Sequence, residues 1–226
     1  MKRYIVATIK SWNIENAIKL SKKYEIYLIT EKEDLTFERV REINPRYIFF
    51  PHWSWKIPKE IFENYECVVF HMTDLPFGRG GSPLQNLIVR KIYRTKISAI
   101  KVVEELDAGP IYMKEDLCLH GGAEEIYMRA SRIIFEKMIP HIIENEPIPK
   151  PQEGEVVTFR RRKPEEGDIS NLRSLDDVYD YIRMLDAEGY PPAFLEVGNL
   201  RLEFTRAVRK HGYVMADVKI YLKSDS

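Results

Sequence analysis

The stretch Phe70-His71-Met72-Thr73-Asp74-Leu75-Pro76-Phe77-Gly78-Arg79-Gly80-Gly81-Ser82-Pro83-Leu84-Gln85 decides the fold. An apolar run of strand length, Cys67-Val68-Val69-Phe70, stops at a histidine. A loop rich in glycine follows, and a helix then starts, with Ser82 suited to cap it and Pro83 to its first position. Open α/β sheets build their active sites where strands end in this way, at the carboxyl edge. The placement raises His71 above the chain's other histidines.

Upstream, strand and helix alternate. Residues 4–8, 25–30 and 46–50 are apolar runs of strand length. Residues 13–23 and 34–43 have helical spacing, and Pro58 suits the first turn of a short helix to Asn64. Strict alternation predicts a mostly parallel sheet with right-handed crossovers. Downstream the period changes. Residues 96–105 and 110–119 read as an antiparallel hairpin closed by the turn Leu106-Asp107-Ala108-Gly109. A long amphipathic helix is predicted over 123–145 unless Pro140 kinks it. Pro147, Pro149 and Pro151 mark a linker. Beyond it, Ser174 caps a further helix. Residues 193–197 and 200–206 flank Gly198-Asn199, a strong hairpin signal, and 213–222 is a final strand. The expected fold is therefore α/β and Rossmann-like, a mostly parallel sheet with an antiparallel hairpin over residues 1–150. A small α+β appendage follows over 151–226.

Composition narrows the classes. Lys+Arg and Asp+Glu both number 35, so the balance argues against a nucleic-acid partner. The run Arg160-Arg161-Arg162-Lys163 reads as a solvated linker or, more sharply, as a phosphate contact. Cys67 and Cys118 lack metal spacing and read as buried, inert thiols, so no metal is expected. No apolar segment reaches membrane length, and the expectation is a soluble, cytoplasmic protein with no membrane partner. Thr8-Ile9-Lys10-Ser11-Trp12 follows the first strand in place of a dinucleotide-binding glycine motif.

His71 and Asp107 are the two ionisable groups at structurally special points. A carboxylate beside an imidazole suits proton transfer near neutral pH. The same residues also suit plain turn and strand-end chemistry. No Ser or Cys stands ready as a nucleophile, so a substrate amine fits that role.

His71-Met72-Thr73-Asp74-Leu75-Pro76, with Arg79-Gly80 and Pro83-Leu84-Gln85, resembles the H-x-S-L-L-P…R-G…P-hydrophobic-Q signature of formyltetrahydrofolate-dependent formyltransferases. Leu106-Asp107-Ala108-Gly109 resembles that family's second motif, and the order of the two agrees. The resemblance covers residues 46–145 and continues loosely over 159–206, where it is similar to members acting on nucleotide-linked amino sugars. It implies attack of a primary amine, most simply that of an amino sugar, on the formyl carbon of N10-formyltetrahydrofolate. His71 and Asp107 then move protons. The resemblance places the folate against Pro51, His52, Trp53, Trp55, Ile57, Leu106 and Ala108. Lys10, Thr73, Asp74, Arg79 and Gly80 are candidates for the acceptor. The C-terminal strands are candidates for a homodimer contact.

One departure stands out. The family places an asparagine two residues before the histidine, and here that position is Val69. Loss of one oxyanion donor typically costs on the order of 10²–10³ in rate. Thr73, Asn86, a backbone amide or the His71 imidazolium are candidates to compensate. Methionyl-tRNA formyl transfer, formyltetrahydrofolate hydrolysis and non-catalytic folate or nucleotide binding remain as alternatives. Asp74 replaces a leucine of the signature and reads either as a binder of the substrate ammonium or as a loop cap.

Overall fold

The structure, a computed structural model, describes residues 2–223. Two compact units can be distinguished. The first holds the chain up to Gly80 with Thr95–Leu117 and Met128–Thr158; the second holds Gly81–Arg94, Cys118–Tyr127 and the chain from Phe159.

The first unit is built on a six-stranded sheet. Its strands are β1 (Arg3–Ala7), β2 (Glu25–Ile29), β3 (Tyr47–Phe50), β4 (Cys67–His71), β6 (Arg94–Lys101) and β7 (Ile111–Cys118), in the order β2-β1-β3-β4-β6-β7. The first four run parallel, and β6 pairs antiparallel with β4. Every residue of β3 is buried, as a parallel strand covered on both faces requires. Helices α2 (Phe37–Ile43) and α3 (Lys59–Asn64) supply Val40, Ile43 and Ile61 to one buried cluster with Ile5, Ile48 and Cys67. Helix α1 (Ser11–Leu20) is tied elsewhere: the Asn16 amide donates to Ser131 Oγ at 2.9 Å. The strand order reverses between β1 and β3, and a sheet of this kind opens a crevice for ligands at that point. Strand β5 (Phe77–Gly80) pairs with the short β8 (Val157–Phe159).

Several local expectations change. Helix α2 starts at Phe37, not Asp34, because Thr36 caps it by accepting from Arg39 N–H at 3.2 Å. The hairpin after β6 is not tight. Strand β6 ends at Lys101 and β7 begins at Ile111, so the connection runs from Val102 to Pro110. Val102 N–H donates to Cys67 C=O, and from there the loop returns along β4 to bring Asp107 to His71. The long helix is interrupted. Helix α5 (Ala123–Ile133) passes into a π-helical segment, Ile134–Met138, before α6 (Ile139–Asn145). Pro140 has no N–H to give to a carbonyl one turn back, and the wider turn accommodates that gap.

The second unit contains α4 (Pro83–Val89), α7 (Leu175–Leu185) and an antiparallel sheet in the order β11-β10-β9. The strands are β9 (Ala193–Val197), β10 (Leu200–Lys210) and β11 (Tyr213–Leu222). Ser174 caps α7 by accepting from Asp177 N–H at 3.0 Å. Ile182, Val178 and Leu185 then pack on Ile169, Ala193, Leu195 and Phe204. Strand β10 outruns its expected end at Arg206, because a bulge between Thr205 and Val208 absorbs Arg206 at φ +52° and pairing resumes. Ser82 does not cap α4. Its backbone is left-handed and its hydroxyl accepts from Arg162 N–H, while the helix stops before Ile92. Arg160 and Arg162 of the basic run both pair with Glu166, Arg160 through two nitrogens at 2.9 and 2.7 Å. Among the described residues no helix is long and apolar enough to cross a membrane.

Candidate active site

His71 closes β4 at 8% exposure. Its Nε2 lies 2.7 Å from Gly78 C=O. A carbonyl can only accept, so Nε2 carries a proton and Nδ1 is the nitrogen left for chemistry. Gly78 has φ +81°, a conformation glycine adopts without steric cost, and this aims its carbonyl back at the ring. The loop is also pinned from across the sheet. Ser98, paired with His71 on β6, donates to Thr73 C=O at 2.8 Å and accepts from Leu75 N–H.

Asp107 Oδ2 lies 3.6 Å from His71 Nδ1 and accepts from Gly80 N–H at 2.9 Å. The first distance is too long for a hydrogen bond, and catalytic contacts often tighten only with substrate in place. Asp107 is held at φ +54°, a strained conformation for a residue with a side chain. Two residues on, a Cβ at Gly109 would lie 1.7 Å from Lys101 C=O, so only glycine lets the loop pass there.

Beside the pair opens a cleft of about 590 Å³. His71, Asp107, His52, Trp53, Trp55, Ile57 and Leu106 all line it, with Phe50, Phe62, Val69, Ile100 and Val102. Its walls are chiefly aromatic and aliphatic. The indole N–H of Trp53 is buried without a hydrogen-bond partner, and an orphaned donor of this kind costs about 1–3 kcal/mol. A flat heteroaromatic ring fits such a wall. His52 sits at φ +58° in the same loop. Burial, helped by the Lys10 charge, pulls its imidazole down to about 4, so it is neutral at physiological pH.

The remaining predicted residues make contacts within the protein. Pro51 C=O accepts from Thr8 Oγ1 and from the Asn13 amide, which joins the loops after β1 and β3. Ala108 N–H donates to Glu105 C=O. Lys10 is buried, its ammonium 5.9 Å from the Trp12 ring centre. Thr73 is fully buried, and its hydroxyl donates to Gly78 C=O. Asp74 pairs with Lys114 at 2.5 Å. Arg79 pairs with Glu105 and Gln152, and Gly80 holds Asp107 through its amide. The Asn86 amide, a candidate to replace the missing asparagine, donates to Gly81, Ser82 and Arg160 carbonyls instead. Ser98 and Gln152 are positioned at the site without any signal in the sequence pattern. Among the described residues no cluster of three or more His, Cys, Asp or Glu is arranged to hold a metal ion.

Residues 164–221 match the methionyl-tRNA formyltransferase C-terminal domain family. The solved methionyl-tRNA formyltransferase from Clostridium thermocellum is 61% identical at a TM-score of 0.97, with 98% of this chain and 100% of that one covered. The chain belongs to the formyltransferase family. Among curated formyltransferases, the methionyl-tRNA formyltransferase of Bacillus cytotoxicus is 29% identical over 163 residues, 69% of this chain and 52% of that protein. The chain thus spans about half the length of the curated relatives it matches. The fold is shared as well by HypX from Aquifex aeolicus, solved in complex with tetrahydrofolic acid, at 18% identity and a TM-score of 0.75 over 91% of this chain and 37% of that one. His71, Asp107 and Val69 all line the one cleft.

Proposed function

We propose that this protein transfers a formyl group from N10-formyltetrahydrofolate to a primary amine, with the first unit, which holds His71 and Asp107, carrying the chemistry; the boundary expected at 150/151 is replaced by the interleaved division at Gly80, Thr95, Cys118, Met128 and Phe159. The observation that carries the reading is the His71–Asp107 pair at the mouth of an aromatic cleft. The donor brings an activated one-carbon unit at the formyl oxidation level. Trp53, Trp55, Ile57 and Leu106 pack its ring system, and His52, neutral in that wall, adds no charge against it. Because Nε2 is committed to Gly78 C=O, the groups able to take the proton shed by an attacking amine are His71 Nδ1 and the Asp107 carboxylate. An imidazolium formed at Nδ1 faces that carboxylate and is stabilised by it. It also supplies positive charge near the developing oxyanion where Val69 supplies none.

The acceptor reading changes from that of the sequence. The 61% identical relative bears the name methionyl-tRNA formyltransferase, which favours the amine of a methionyl-tRNA over that of an amino sugar. Charge balance argued against a nucleic-acid partner, but it measures the average of the whole surface and says little about one substrate's docking. The test is release of tetrahydrofolate with methionyl-tRNA and with amino-sugar nucleotides in parallel. Methionyl-tRNA is expected to give the higher kcat/KM. Replacing His71 by Ala is expected to lower kcat by about 10²–10⁴. Undiminished turnover in that variant would sink the proton-transfer mechanism.

A further inference from the structure

Gln152 lies in the stretch whose alternating prolines read as a linker. In the structure that stretch is fixed. Lys150 and Ile111 exchange both backbone hydrogen bonds, at 2.7 and 2.9 Å, so the segment is stitched to the start of β7. Two residues further, Gln152 uses both ends of its amide. Its oxygen accepts from Arg79 Nε and Nη2, at 3.1 and 2.9 Å. Its nitrogen donates to the carbonyls of Asp107 and Gly109, at 2.7 and 2.9 Å.

We propose that Gln152 is a positioning residue for formyl transfer, clamping the Asp107 loop to β5 so that the Asp107 carboxylate is held toward His71. The inference rests on the formyl-transfer reading above. Asp107 at φ +54° costs about 1–2 kcal/mol against an ordinary conformation, and such a backbone persists only when its surroundings over-determine it. Gln152 provides that restraint by fixing the carbonyl of Asp107 itself and the one two residues later. Its other end grips Arg79, whose neighbour Gly80 donates to the Asp107 carboxylate. One amide therefore ties both the backbone and, through one intervening residue, the side-chain anchor of the aspartate. Only an amide of this length meets the demand. A carboxylate has no hydrogen for the two carbonyls, and a leucine has neither donor nor acceptor.

The experiment compares Gln152→Leu and the isosteric Gln152→Glu with wild type, and places Gln152→Leu in an Asp107→Asn background. Removing a residue that orients a reacting group typically costs on the order of 10- to 100-fold, so kcat is expected to fall by that factor with the donor KM within about twofold. In the Asp107→Asn background the further loss is expected to be under about twofold, because the residue being positioned has already lost its charge. Additive losses, or a rise in KM with kcat intact, would overturn the proposal. Amide hydrogen exchange supplies a readout independent of turnover. Gly80 N–H, the donor to Asp107, is expected to exchange about tenfold faster in Gln152→Leu, with core strand amides such as Ile5 unchanged. Unaltered Gly80 exchange also overturns it. If wild type transfers no formyl group to any amine, the functional reading fails, and the exchange measurement alone decides whether Gln152 holds the loop.

Discussion

Asp107 and Gly198 share a left-handed backbone, at φ +54° and +58°, yet they sit in opposite surroundings. Asp107 is gripped from three sides: Gly80 N–H on its carboxylate, Gln152 on its carbonyl, and a loop that passes Lys101 only because Gly109 has no side chain. Gly198 turns β9 into β10 with nothing within 4 Å of where a Cβ would stand. Apart from the apolar packing of α7 on one face, side-chain ties around the C-terminal sheet include surface ion pairs such as Arg206–Asp217 and Lys223–Glu196, which contribute about 0–1 kcal/mol each. One conformation therefore has two meanings. In open space it is turn geometry that glycine meets cheaply. Among fixed neighbours, on a residue that pays for it, it marks a place where position matters more than stability.

The largest effect is expected where the comparison is most one-sided. Gly109→Ala forces a methyl into Lys101 C=O and is expected to cost about 4 kcal/mol or more, measured by denaturant unfolding, with loss of formyl transfer. A well-folded, active Gly109→Ala would show the loop to be far softer than described. Acid sensitivity should come next, and also from the cleft. Burial and Lys10 depress His52 to about 4, so between pH 6.5 and 4 the unfolded chain binds the proton that the folded one refuses. Stability is thus full above about pH 6.5 and falls by about 3 kcal/mol as pH drops to 4. His52→Asn, which tolerates the left-handed backbone, is expected to flatten that part of the pH–stability curve. An unchanged acid limb would mean that His52 is not the group responsible. Val69→Asn restores the amide of the family signature and is expected to raise kcat about tenfold, less than the usual value of such a donor because the His71 cation already serves. A fall in kcat would indicate that the cleft has been rebuilt around valine. At the C-terminal end, Gly198→Ala should cost only about 1 kcal/mol by thermal unfolding. The exposed Ile220→Thr on the same sheet should stay within about 0.5 kcal/mol. Larger losses there would show the sheet to be as tightly determined as the cleft.

The sequence made the alternation of β1 to β4 plain, since apolar runs and helical spacing are local signals. It also made His71 and Asp107 plain, since both lie in motifs with distinctive neighbours. What it concealed were bonds between residues far apart. Val102 and Val103 prolong an apolar run and so read as strand, but the chain has left the sheet by then to line the cleft. The partners of Arg79 and Asp74, Gln152 and Lys114, lie 73 and 40 residues away, beyond the reach of any local pattern. Ser82 carried every local mark of a helix cap, but its hydroxyl was claimed by an amide 80 residues on. Gln152 sits among prolines, in a segment with no periodicity for its side chain to interrupt.

Two of the chain's three tryptophans, Trp53 and Trp55, stand edge to face in the cleft with ring centres 4.9 Å apart, and one carries the unpaired indole N–H. Ultraviolet emission from that couple is set by whatever polar group or ring comes against it. The protein thus carries its own optical gauge of cleft occupancy. Titrating a folate while following that light, with Trp53→Phe as the blank, would register a bound pterin without label or turnover, even if the true acceptor is never found.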